Sequence, residues 1–135
     1  MNQKLTLFYF EFTDLWKHLC ELHSELLDTS CEEYLALLKS DIEKVHLLLD
    51  VKQDLMHKIS LLDSDRNVLI KKITEMSPAP LTEINNFRSI YDFLASELNL
   101  DKNNPLIRYH SVILELIDKI QDQNKKNRFF LNKAL

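Results

Sequence analysis

Residues 105–135 read PLIRYHSVILELIDKIQDQNKKNRFFLNKAL, and one stripe in them decides the fold class. Ile113, Ile117, Ile120, Asn124, Asn127, Leu131 and Ala134 recur in an unbroken 4-3 alternation, the spacing of a helix with one packed seam. Asn104 followed by Pro105 suits a cap and a first helical residue, which predicts a helix over 105–133. Composition agrees. The 135-residue chain has no glycine, where average usage near 7% would give about nine, and it has 26 leucines. The absence of glycine argues against phosphate-cradling loops and turn-rich β-sandwiches, while leucine is a strong helix former.

Working outward, the same alternation appears in Phe8, Phe12, Leu15, Leu19, Leu22 and Leu26, predicting a helix over 5–39. It weakens at Asp28–Cys31 and resumes at Tyr34, Leu37 and Leu38. Ser40 and Asp41 can each cap a second helix over 42–76; one continuous, kinked helix is the other reading. The second stripe includes Ile42, Val45, Leu49, Met56, Ile59, Leu69 and Ile73. Lys52 and Arg66 interrupt it, with long stems able to line a seam while their charges reach water. Pro78 and Pro80 end that helix, and Ile84, Phe87, Tyr91, Leu94 and Leu98 predict a shorter one over 82–98. The expected architecture is all-α: an elongated antiparallel hairpin or bundle of three to four helices with coiled-coil-like seams, in a single domain over residues 1–135.

Charge and cysteine usage narrow the partners. Net charge is −4, with a net −6 over residues 1–50 and +2 over 51–135, which argues against a broad nucleic-acid surface. No apolar run suits a membrane span, and Glu11 and Asp14 arrive too early for a secretory signal. Cys20 and Cys31 are too few for a disulfide framework, and 11 residues along one helix would separate them by about 16 Å. The cytoplasm is the expected compartment.

No catalytic or cofactor constellation emerges. Glu43-x-x-His46 has the spacing of di-iron bundles, but Ile42, Val45 and Leu49 occupy the inward face there. Cys20 and His23 lie one turn apart without the further ligands a structural zinc needs. No enzyme, metal or cofactor is expected. Lys125, Lys126, Arg128 and Lys133 cluster at the chain end, either complementing the helix dipole or meeting an acidic partner. Asn124 and Asn127 on consecutive seam positions have two readings: a polar layer that fixes register, or a section of helix left open for a partner. Phe129, Phe130 and Leu131, with Leu135, widen the apolar surface beyond them and favour the second.

Three segments resemble the FlgN type of flagellar export chaperone. They are the block Cys31–Asp41, the segment Val51–Leu55 followed by Arg66, and most specifically Asn124-x-x-Asn127-Arg128-Phe-Phe-Leu131 through Ala134 and Leu135. The resemblance implies a cytoplasmic chaperone for hook–filament junction proteins, delivered to the flagellar export gate. It further implies that the last helix binds the terminal amphipathic segments of those proteins, with Asn124, Asn127 and Leu131 at the matching positions. The expected binding segment is 124–135, comprising Asn124, Asn127, Arg128, Phe129, Phe130, Leu131, Ala134 and Leu135, on a monomer or weak homodimer. A structural coiled-coil protein that self-associates through its heptad stripes is the rival expectation.

Overall fold

The computed structural model describes residues 3–77 and 87–134, and among them there are four helices and no strand. They are α1 (Gln3–Leu38), α2 (Ile42–Glu75), α3 (Phe87–Leu98) and α4 (Pro105–Ala134). The fold is an all-α helical bundle. The expected start of the third helix at 82, with Ile84, lies outside the described residues.

With no glycine available, polar residues terminate and start the helices. Ser40 (φ 54°) and Asn99 (φ 51°) take the left-handed conformation that glycine usually supplies after a helix. At the end of α1, Ser40 N donates to Leu37 O (3.1 Å) and Asp41 N to Ala36 O (2.9 Å), so the last carbonyls are satisfied. Asp41 then caps α2 by accepting from Lys44 N at 3.1 Å. The first two helices are therefore separate. Asn104 caps α4 by accepting from Ile107 N (3.0 Å), with Pro105 behind it as the first helical residue. The Asn104 amide also donates to Tyr91 Oη and to Asp101 O, each at 2.7 Å.

The chain divides into two compact units. The first comprises Met1–His18 and Leu61–Ser111. Phe12, Ile73, Ile90, Leu94 and Leu106 are fully buried in it. Its rings form one stack: the His110 imidazole lies flat on Phe87 at 3.7 Å, and Trp16 meets both edge-on at 5.2 Å. Arg66 places its guanidinium 5.6 Å from the Trp16 ring centroid and its Nη2 3.4 Å from Asp63 Oδ1, so its charge lies over an aromatic face. The second unit comprises Leu19–Ser60 and Val112–Leu135. It holds two apolar clusters, one of Leu26, Leu55 and Ile120, the other of Ala36, Val45 and Leu48. Four expected seam residues are exposed: Leu38 (50%), Ile42 (54%), Met56 (56%) and Ile117 (37%), so Ile42 does not share the inward face of Val45.

Burial lowers the His110 pKa below its ordinary value of 6.5. Such a group binds fewer protons folded than unfolded, so its stability contribution is present above about pH 6.5 and is lost on acidification. Thermal melts of wild type and His110→Phe from pH 7.5 to 5.5 check this. The wild type should lose stability relative to the variant as pH falls; parallel profiles would remove the effect.

Candidate functional site

In the second unit, the stripe of α1 that carries Leu22 and Leu26 continues into Ser30 and Glu33 before returning to Leu37. α2 contributes Lys52 to the same layer, and α4 contributes Asn124 and Asn127. The five polar side chains are bonded to one another. Asn127, 5% exposed, donates to Ser30 O (2.8 Å) and to Glu33 Oε1 (2.6 Å), and accepts from Gln123 Nε2 (3.0 Å). Lys52 Nζ donates to the same Glu33 oxygen and to Asn124 Oδ1, each at 3.1 Å. Ser30, fully buried, donates from Oγ to Asn124 Oδ1 at 3.3 Å.

The arrangement corrects one expectation. The Lys52 charge does not reach past the seam to water but turns onto Glu33, in a pair whose side chains are only 14% and 6% exposed. The physical reason is Glu33. A carboxylate buried among apolar neighbours needs a counter-charge and further donors, which Lys52 and Asn127 supply. Thus α4 is fastened to α1 and α2 by charge-assisted hydrogen bonds.

Two cavities open along α4, one on each side of the Lys52–Asn124 contact. The first, about 270 Å³, is lined from α4 by Ile117, Ile120, Gln121 and Asn124, with His23, Leu26, Lys52 and Met56 opposite. The second, about 280 Å³, is lined from α4 by Asn124, Asn127, Arg128 and Leu131, with Glu33, Leu37, Leu49 and Lys52 opposite. The α4 residues of the second are those of the first shifted by seven positions, so the cavities repeat with the heptad.

The expected binding residues are distributed unevenly about this site. Asn127 is enclosed in the polar layer, while Asn124 is half-buried and leaves its amide nitrogen without a partner among the described residues. Arg128 is exposed at the mouth of the second cavity, and Leu131 forms part of its wall. Phe129 is 56% exposed, with Lys133 Nζ 4.7 Å from its centroid. Phe130 is half-buried, edge-on to Tyr34 at 5.2 Å. The Ala134 side chain and Leu135 lie outside the described residues. Sequence reasoning missed Ser30 and Glu33. The available signal was the weakened stripe at 28–31, which is the continuation of the seam in polar residues.

Cys20 and Cys31 are free thiols, the first buried and the second exposed. Among the described residues no cluster of His, Cys, Asp and Glu suits a metal ion, and no helix is long and apolar enough to cross a membrane.

A polar layer thus joins three helices beside a groove of leucines, and Asn124 on the last helix carries an amide nitrogen without a partner among the described residues. The family model for the FlgN protein matches residues 1–135, the whole chain. The chain belongs to the FlgN family. FlgN proteins are flagellar export chaperones, so this chain is one by family membership. Neither a curated protein nor a solved structure matches it. In this FlgN chain the segment matching the Asn-x-x-Asn pattern holds its second asparagine inside the bundle and turns Arg128 and Phe129 outward.

Removing Lys52 leaves the Glu33 carboxylate buried without a counter-charge. Lys52→Met should therefore cost about 3–5 kcal/mol, and adding Glu33→Leu should restore most of that loss. Denaturant unfolding of the two single variants and the double variant measures the coupling; additive losses would show that the pair is not energetically linked.

Proposed function

We propose that the chain is a cytoplasmic chaperone of hook–filament junction proteins, which it binds through their terminal amphipathic helical segments at residues 124–135. The observation that carries this reading is the groove of Leu37, Leu49 and Leu131 with Arg128 at its mouth, next to the exposed Phe129. An amphipathic segment lacking its assembly partner exposes an apolar face, and an apolar groove on a helical bundle covers such a face. Basic residues Lys125, Lys126, Arg128 and Lys133 supply attraction to acidic groups beside that face, since no acid follows Asp122. No bond is made or broken. Holding the segment withdraws it from premature assembly by mass action, and release at the export gate returns it.

Family membership supports the chaperone role, and the junction-protein cargo is the finer step proposed here. The rival, self-association as a structural coiled coil, draws on the exposed Leu35, Leu38, Ile42 and Leu47 near the α1–α2 turn. Sedimentation separates the two: a chaperone runs as a monomer or weak dimer and forms a defined complex when cargo is added.

Point variants test the site better than truncation, because cutting after Asp122 would also strip Ser30, Glu33 and Lys52 of their asparagine partners. Each large side chain covered by cargo contributes about 1.5–3 kcal/mol. Phe129→Ala and Arg128→Glu alter exposed residues, so the fold should melt as wild type. Calorimetric titration with a junction protein's terminal segment should show binding weakened by tenfold or more for Phe129→Ala. Unchanged affinity in both variants would place the site elsewhere on the chain.

A further inference from the structure

The heptad step between the two cavities has a consequence for what fills them. Ile117 and Asn124 line the first cavity, and Asn124 and Leu131 stand at the equivalent places in the second. On α2 the step is the same in the opposite direction, from Met56 to Leu49. Seven residues of helix span about 10 Å, two turns. A helix laid along the groove therefore meets the two cavities with side chains at i and i+7, and passes Lys52 and Asn124 with the residue at i+3 or i+4.

The chemistry at that midpoint is donor-rich. Lys52 Nζ spends two of its three hydrogens on Glu33 and Asn124, and the Asn124 amide has both hydrogens unspent among the described residues. Arg128 carries a guanidinium with no ion-pair partner among the described residues. Two cations, Lys52 and Arg128, thus stand against one carboxylate, Glu33, which leaves one positive charge uncompensated. An apolar residue at the midpoint would bury these donors unmet, and a cation would be repelled.

We propose that the groove selects its cargo by pattern: an amphipathic helix with an apolar residue at i, a carboxylate at i+3 or i+4, and an apolar residue at i+7. The two apolar side chains occupy the two cavities, and the carboxylate bonds to Lys52 and Asn124 under the field of Arg128. The selection rests on the chaperone reading above and specifies the helix that this site accepts.

Three labelled, alanine-based 18-residue peptides test it against the full chain by fluorescence anisotropy at low salt. One carries Leu, Glu and Leu at i, i+4 and i+7; the second has Lys in place of Glu; the third moves the second Leu to i+5, off the face. The first peptide should bind at least tenfold tighter than either other, and Arg128→Glu should reduce its advantage over the Lys peptide severalfold. The proposal is overturned by equal binding of the Glu and Lys peptides, by indifference to the displaced Leu, or by no binding of any peptide. It is also overturned if sedimentation shows a second copy of the chain covering the groove. Should a junction protein's segment bind the chain, and lose affinity with Phe129→Ala, while the peptides fail to rank, the pattern falls and the chaperone reading stands.

Discussion

The second unit depends on one buried carboxylate. Glu33 lies on the inward face of α1 between apolar clusters, where an uncompensated charge would be costly. Its demands fix the helices around it. Lys52 must lie opposite on α2, and Asn127 must face it from α4, which sets the register of all three to within a turn. Apolar seams alone tolerate sliding by a heptad, because leucine packs on leucine at either register. A lysine–glutamate–asparagine layer does not, because a shift leaves each group without its partner. The two cavities follow from that register, since Lys52 and Asn124 divide the crevice that the leucines of α1, α2 and α4 line.

For the docking surface proposed above, the return is preorganisation. The terminal turns of a helix ordinarily fray, and a binding surface on fraying turns must be ordered before cargo gains anything from it. Here Asn127 to Glu33 and Phe130 to Tyr34 hold α4 against α1 in the free chain. Arg128, Phe129 and Leu131 are thereby displayed on a helix already in place. The two asparagines differ: Asn127 is consumed by the interior, whereas the Asn124 amide nitrogen has no partner among the described residues and is available to the proposed occupant.

Most of the fold was legible because it obeys simple periodicity. The 4-3 stripes placed α1, α2 and α4 to within one or two residues, and Asn104–Pro105 marked the start of α4. The α1–α2 break was ambiguous because serine seldom adopts positive φ; in a chain without glycine, Ser40 took that role and Asp41 the cap. The site was only half legible. Asparagine on a seam announces that something polar faces it, but Ser30 and Glu33 lie 94 residues or more before their asparagine partners, a relation that no local pattern encodes. The same reason hides the pairing of Lys52: its counter-charge comes from another helix. The exposure of Ile117 and Met56 was equally hidden, since a stripe shows which side chains share a face and not whether a neighbour covers it.

Native-state amide hydrogen exchange, followed residue by residue by NMR, tests most directly whether the polar layer holds α4 in the absence of cargo. Residues 120–131 of α4 should be protected to a degree close to residues 26–33 of α1, and Lys52→Met should lower protection in both segments together. Exchange of 124–131 at unstructured-peptide rates in the wild type, with α1 still protected, would contradict the account, because the last turns would then be open and the groove would form only with its occupant.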